Sequence, residues 1–284
     1  MAANLTIDSL LAQGIGDLRD AGIDAASLNL EAELLLAHAL GMTRTQIKTH
    51  PETRISLDRA HRYTGLISRR SSGEPVAYIV GYRDFWTLRL GVGPAVLVPR
   101  PETELLVERA IALRPDHTGR VADLGTGSGA IALALASEKP KWTITATDVS
   151  PDALATARAN ALTLGLGHIE FVSGNWFEPL ARRRFDLVVS NPPYIAETDP
   201  ALLQITLKHE PRGALAAGPD GMTALRSLIH SAPQYLERRG WLLLEHGADQ
   251  GTAVARELVI RGFGHVRSHP DLAGHERVTE AQWN

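Results

Sequence analysis

The chain has 284 residues, 44% of them hydrophobic and 21% charged, a balance that can bury a substantial core and that excludes a disordered chain. It has no cysteine, which excludes a disulfide framework, a thiolate zinc site, an iron–sulfur cluster and a cysteine nucleophile. Twenty-nine basic against 32 acidic residues leave a net charge of −3, which weighs against binding nucleic acid mainly by neutralising phosphates. The uncharged stretch 124–137 is too short for a membrane span and is broken by glycines. The first eleven residues carry no basic cluster and no secretory pattern, so a cytoplasmic protein is expected.

The first seventy-odd residues suggest helices. Leu28, Leu30, Ala32, Leu34, Leu35, Leu36 and Leu40 crowd one apolar segment over 28–40; Asp24 or Ser27 is placed to cap its start and Gly41 to stop it. A second helix is expected over 57–70, before the turn-like Ser71-Ser72-Gly73-Glu74-Pro75. No catalytic spacing occurs here, and the region is expected to form a small helical bundle, domain 1–75, that packs on or presents something else.

Between 76 and 100 the pattern predicts a β-hairpin linker, with short β-like runs at 77–80, 85–88 and 95–98 separated by glycines. Pro99-Arg100-Pro101-Glu102-Thr103-Glu104 then opens a helix, and a third region is expected over 101–284. Beyond residue 118 strand and helix alternate. Strands are expected at 120–124, 143–147, 168–173, 185–190 and 241–245, with two more at 264–268 and 276–282; helices are expected at 130–137 and 151–164. This is the pattern of an open, largely parallel α/β sheet with helices on both faces.

Val121-Ala122-Asp123-Leu124-Gly125-Thr126-Gly127-Ser128-Gly129 is a strand running into a glycine-rich turn and then a helix. Glycines belong where backbone must approach a ligand closely with positive φ. Taken alone the loop also fits the nicotinamide-cofactor fingerprint, read as Gly125-x-Gly127-x-x-Ala130, or a turn that merely lets the helix pack. Asp148, ending the next strand, would hold ribose hydroxyls for either cofactor. Two details favour S-adenosylmethionine. Asp123, at the strand end, would suit a cationic amino-acid group and repel a pyrophosphate. After the third of these strands, Gly174-Asn175-Trp176-Phe177 offers a polar residue and an aromatic to cover an adenine ring.

The run 185–190 delivers Asn191-Pro192-Pro193-Tyr194 at the carboxyl end of a buried strand, beside the place where such sheets bind ligands. Asn-Pro alone favours turns anywhere; beside a cofactor loop the motif suits methyl transfer to a planar NH2. Such a nitrogen attacks poorly because its lone pair is delocalised. Asn191 supplies a side-chain oxygen, Pro192 a carbonyl on a rigid backbone, and neither proline has an N–H that could compete. Tyr194 can stack on the flat group. No Ser/His/Asp constellation stands out, the eleven histidines look scattered, and no metal site is expected.

On these residues the chain resembles the bacterial release factor glutamine methyltransferases of the HemK/PrmC type over nearly its whole length. The matching motifs, in order, are the nine residues from Gly73 to Gly81, Val98-Pro99-Arg100-Pro101-Glu102-Thr103-Glu104, the loop from Asp123 to Gly129, Asn191–Tyr194, His209-Glu210-Pro211-Arg212-Gly213-Ala214-Leu215 and Gly218-Pro219-Asp220-Gly221. The Asn-Pro-Pro-Tyr motif is shared with amino-methyltransferases of DNA and RNA, so it specifies chemistry more than substrate. A related family that methylates a ribosomal-protein glutamine is expected to carry a serine-containing variant after the arginine of Pro-Arg-Pro-Glu-Thr-Glu.

The resemblance implies a seven-stranded, Rossmann-like class I methyltransferase sheet with its last strand antiparallel, and an N-terminal helical bundle that helps to dock a release factor. It implies methylation of the glutamine of the Gly-Gly-Gln motif in class 1 release factors, modulating translation termination, by a monomer needing neither a membrane nor a nucleic-acid substrate. Ribosomal-protein and nucleic-acid methylation are the alternatives. Carried over, Gly125, Thr126, Gly127, Ser128, Gly129, Asp148, Trp176 and Asn191 would line the S-adenosylmethionine site, which becomes S-adenosylhomocysteine on turnover. Asn191, Pro192, Pro193 and Tyr194 would hold the glutamine, with Asn191, Pro192 and Tyr194 as the catalytic set. Asn175 stands where relatives often carry an acidic residue, and Arg100 and Glu102 are expected to border the pocket.

Overall fold

Several α-helices begin or end where side chains or turn residues satisfy their free backbone groups. A computed structural model describes residues 5–114, 118–204 and 206–284. Helix α1 (Ile7–Asp20) starts in a reciprocal capping box: Ser9 N–H donates to Thr6 Oγ1 at 3.2 Å and Thr6 N–H to Ser9 Oγ at 2.9 Å. Helix α2 (Leu28–Leu40) has Ser27 at its N-cap position without a capping bond from its side chain; the Ser27 hydroxyl donates instead to the Asp24 carbonyl. Gly41, at φ 65°, closes the helix as expected. Helices α3 (Arg44–Thr49) and α4 (Leu57–Ser71) follow, and α1, α2 and α4 bury a shared core that includes Leu10, Leu18, Leu35, Leu36, Tyr63 and Ile67.

The next expectation fails. Residues 77–80 form no strand but lie in a short helix, α5 (Val76–Val80), entered from Pro75 and ended by Gly81 at φ 85°. A short apolar run has no period by which strand and helix can be told apart, and the proline and glycine that bound it decide the outcome.

By its contacts the chain divides into two compact units. The first runs through Gly81 and includes the segment Gln204–His209; the second comprises Tyr82–Leu203 and Glu210–Asn284. Strands β1 (Tyr82–Phe85) and β2 (Leu88–Gly91) open the second unit as a hairpin turning at Trp86, which has φ 56°. The expected run 85–88 therefore spans the turn rather than a strand. The hairpin packs as part of this unit: Trp86 Nε1 donates to Glu138 at 2.8 Å, and Gly91 exchanges two hydrogen bonds with the Asn160 side chain. Residues 95–98 form no strand. Pro101–Thr103 make one 3-10 turn ahead of helix α6 (Glu104–Leu113).

Then come β3 (Arg120–Leu124), α7 (Ala130–Glu138), β4 (Thr143–Asp148), α8 (Pro151–Thr163), β5 (Glu170–Ser173), β6 (Phe185–Ser190), α9 (Thr223–Ser231), β7 (Leu236–Glu245), α10 (Gly251–Arg261), β8 (Phe263–Pro270) and β9 (Glu276–Trp283). Seven strands form one sheet in the order β5-β4-β3-β6-β7-β9-β8. The pairs from β5 through β7 are parallel, and β9 runs antiparallel to both neighbours, as expected of the last strand. Both faces are buried. Val121, Leu187, Val189 and Leu243 face a core shared with α6, α7 and the hairpin, while Ala122, Val188, Leu242 and Leu244 face one shared with α9 and α10. Connections from β3 proceed toward β5, and those from β6 toward β7, so the carboxyl ends of β3 and β6 flank the crevice where an open sheet of this kind receives ligands. Among the described residues, no helix is long and apolar enough to cross a membrane.

Candidate active site

Strand β3 ends in the glycine loop, whose first two N–H groups, on Gly125 and Thr126, both donate to the Thr147 carbonyl at 2.9 Å. Gly125 has φ 74°, and a Cβ there would stand 3.0 Å from the Trp176 ring, so glycine is required by both conformation and space. Gly127, at φ 56°, donates its N–H to Asp148 Oδ2 at 2.9 Å, and Ser150 N–H donates to Asp148 Oδ1 at 2.9 Å. Asp148 thus joins the ends of β3 and β4 and still lines the cavity between them.

That cavity, of about 210 Å³, is lined by Gly125, Gly127, Asp148, Trp176, Asn191 and Pro193 among the residues singled out in the sequence. Thr126, Ser128 and Gly129 do not line it. Thr126 and Ser128 are buried in the loop, and Gly129 turns the chain into α7. Trp176 and Phe177 divide their work: Phe177 is a core residue stacked on Tyr235 at 4.5 Å, whereas Trp176 faces the cavity. Trp176 is held at φ 48°, a conformation rare outside glycine, with its carbonyl accepting from Thr147 Oγ1 at 3.0 Å. Asn175 is also at the wall, its amide directed to Glu178 at 3.4 Å.

Strand β6 delivers Asn191 beside the glycine loop because Ser190 Oγ, fully buried, donates to the Leu124 carbonyl at 2.7 Å. Asn191 Nδ2 donates to Thr103 Oγ1 at 3.0 Å. Pro192 is buried and does not line the cavity, whereas Pro193 does. Tyr194 lies outside the cavity lining. Its carbonyl accepts from Gln250 Nε2 at 3.0 Å, and its ring packs toward the α9–α10 core. Burial, reinforced by Glu245, pushes the Tyr194 hydroxyl up to about 12, so it stays protonated at ordinary pH.

Asp123 departs from expectation. It does not line the cavity: it is wholly buried, its Oδ2 accepting from Thr126 Oγ1 at 2.6 Å and from Ala132 N–H at 3.2 Å. Its job here is to tie the glycine loop to the first turn of α7. Burial pushes its carboxyl up to about 7, against those two hydrogen bonds. Arg100 and Glu102 likewise do not line the cavity. Arg100 donates to Glu210 Oε1 at 2.5 Å, while Glu210 Oε2 accepts from Val98 N–H at 3.0 Å.

This buried Glu210 clamp explains why two distant motifs matter together. It joins the segment before α6 to the segment after residue 209, and residues from both, including Val96, Leu97, Pro211 and Ala214, form walls of the cavity. The sequence reading missed these wall residues. Residues 95–98 look like a strand because they are apolar, but Ala95, Val96 and Leu97 instead line the cavity. His265 and His269 have a four-residue spacing that the impression of scattered histidines overlooks. On β8, His269 Nε2 lies 3.0 Å from the buried Glu280, and among the described residues no group of three or more potential ligands could hold a metal.

Comparison with known proteins agrees with this layout. Residues 9–81 match the PrmC N-terminal domain family, and residues 101–213 match the methyltransferase small domain family. A release factor glutamine methyltransferase of Pseudomonas aeruginosa is 48% identical over 92% of this chain and 94% of its own length. Another, from Aliivibrio fischeri, is 41% identical over 99% of this chain and 98% of its own. A methyltransferase crystal structure from Pyrococcus furiosus superposes with a TM-score of 0.54 at 16% identity, covering 77% of this chain and 98% of that one, a likeness of fold.

Proposed function

The chain belongs to the family of release factor glutamine methyltransferases, and on that premise we propose that it transfers a methyl group from S-adenosylmethionine to the side-chain amide of the glutamine in the Gly-Gly-Gln motif of class 1 release factors. The observation that carries this reading is the meeting of Asn191 and Pro193 with Gly125, Asp148 and Trp176 around one cavity. A nitrogen-binding motif and a nucleoside-binding loop share that wall, which is what a transfer between two bound molecules requires.

The residues present fit the cofactor. Gly125 and Gly127 leave the backbone bare, Asp148 offers carboxylate lone pairs beyond those used by Gly127 and Ser150, and Trp176 offers an aromatic face. Bound there, S-adenosylmethionine would supply an electrophilic sulfonium methyl and leave as S-adenosylhomocysteine. The protein's own task is to prepare the nucleophile. Asn191 Oδ1 and the Pro192 carbonyl would each accept one N–H of the substrate amide, which orients its nitrogen and raises electron density on it. Neither Pro192 nor Pro193 has an N–H that could compete for these acceptors. Tyr194, its ring packed toward the α9–α10 core, would brace the motif from outside the cavity. The nitrogen becomes acidic once alkylated, so its proton can pass to water and no strong base is required. Orientation in such a site can contribute roughly 7–11 kcal/mol of the barrier reduction.

The helical first unit carries no catalytic spacing, and its proposed role is to dock the release factor. A monomer working in the cytoplasm suffices for this task. Intact-mass spectrometry of unmethylated release factor, incubated with the protein and S-adenosylmethionine and then fragmented, tests the reading. One added methyl on the Gly-Gly-Gln glutamine is expected. An unmodified factor, with cofactor binding intact, would redirect the search to ribosomal proteins and RNA.

A further inference from the structure

Asn191 carries an acceptor and a donor on one carboxamide, and gripping a substrate NH2 requires the oxygen, not the nitrogen, to face it. The partners of a side-chain amide decide which way it points. Asn191 Nδ2 donates to Thr103 Oγ1 at 3.0 Å. Thr103, 4% exposed, sits in the 3-10 turn before α6. A hydroxyl has a single proton. Were Thr103 to give that proton to Asn191, the amide would turn over and present NH2 to NH2.

The neighbour that settles the direction is Glu245, at the end of β7 and 1% exposed. The Thr103 hydroxyl is the side-chain hydrogen-bonding group that favours its carboxylate, and Glu245 Oε2 has no hydrogen-bond partner among the described residues. Glu102, Arg277, Arg100 and Tyr194 are the other charged or titratable groups acting on it. A buried carboxylate short of donors competes strongly for the one proton Thr103 can offer.

We infer that Thr103 is a positioning residue: its hydroxyl, committed as donor to Glu245, accepts from Asn191 Nδ2 and so holds Asn191 Oδ1 toward the substrate nitrogen. This rests on the proposed role of Asn191 in binding the glutamine amide. It gives a function to the threonine of Pro-Arg-Pro-Glu-Thr-Glu, and it makes the orientation depend on proton occupancy at Glu245. Burial, with Glu102 adding to it, pushes that carboxyl up to about 7 against the opposing pull of Thr103, Arg277 and Arg100. Protonated Glu245 would donate to Thr103, which would then donate to Asn191 and reverse the chain. Turnover should therefore rise with pH through about 7.

The test compares Thr103→Val, which keeps the shape and removes the hydroxyl, with Thr103→Ser, which restores it. At saturating S-adenosylmethionine, with release factor as substrate, Thr103→Val should lower kcat about tenfold or more, as loss of a buried hydrogen bond to an oriented group does. Cofactor Kd should stay within about twofold and the rise of kcat through neutral pH should vanish, while Thr103→Ser should recover both rate and pH profile. Near-parental kcat in Thr103→Val, or a pH profile like the parent's, would overturn the inference. A parent protein that leaves the release factor unmethylated would instead defeat the functional reading. The positioning is then read without substrate, from hydrogen exchange of the Asn191 side-chain NH2, identified by its absence in Asn191→Ala. Slow exchange in the parent and in Thr103→Ser, with fast exchange in Thr103→Val, supports the arrangement; equal exchange in all three sinks it.

Discussion

In the proposed reaction Asn191 would offer one carbonyl oxygen to a poorly nucleophilic nitrogen, an interaction that would strengthen as positive charge develops there. Asn191→Ala should therefore act on turnover, lowering kcat by about 10²–10³-fold, the usual effect of removing one preorganised partner of a developing charge. Cofactor Kd should move much less, because the glycine loop and Asp148 remain; stopped-flow turnover with calorimetric titration of S-adenosylmethionine separates the two effects. Asp123 predicts a different behaviour. Its folded-state carboxyl is raised to about 7, above its ordinary value near 3.8, so the folded state holds the proton more tightly. Stability from this group is present below the ordinary value and is lost as pH rises toward 7. The cofactor-free protein should become easier to unfold by urea between about pH 5 and pH 8, and Asp123→Asn should make that decline shallower. Glu245, raised for the same reason, supplies the part that remains.

Helix α7 is buried from Ala130 through Ala136, apolar on every side. Such a helix cannot be placed by amphipathicity, and the Asp123 bond to the Ala132 N–H pins its first turn instead. In the first unit the close contact is between α1 and α4. A Cβ on Gly14 would stand 2.0 Å from the Tyr63 hydroxyl, on a side chain only 2% exposed. Glycine to alanine inside a helix normally stabilises by roughly 0.5–1 kcal/mol. Here the overlap reverses the sign, and Gly14→Ala should destabilise the helical unit by about 1–3 kcal/mol, measured by chemical denaturation. Gly16, whose added Cβ meets nothing within 4 Å, is the control: Gly16→Ala should be neutral or stabilising.

On the proposed function the two units would have different tasks. The second contains the cavity and every residue proposed to touch cofactor or acceptor; the first is the helical unit proposed to dock the release factor. A docking role for the first unit predicts that a short peptide carrying Gly-Gly-Gln is a poorer substrate than the whole release factor. The difference should be about 10²-fold or more in kcat/KM, since binding energy from remote contacts is then lost. Methyl incorporation measured over a concentration series of both substrates checks this, and equal kcat/KM would remove the docking role.

Much of the second unit was legible because its signals are local. The strand-turn-helix at Gly125, Asp148 at the next strand end and the strand delivering Asn191 each declare themselves within a few residues, and the periodicity around them places them at one end of a sheet. Residues 77–80 were not legible, since four apolar residues carry no measurable period and the flanking Pro75 and Gly81 select the helix. Nor could composition show that 95–98 enclose a cavity rather than pair in a sheet. Asp123 was expected beside a ligand, yet it is buried off the cavity lining and braces the loop, because burial is a property of the packed chain. The sequence by itself determined the fold class and set out the glycine loop and the Asn191–Tyr194 motif, for these rest on neighbouring residues. Only the tertiary structure decided that Glu210 clamps Val98 and Arg100, and that Thr103 meets Asn191. Those contacts join residues about a hundred positions apart, and whether such groups meet depends on which strands become neighbours in the sheet.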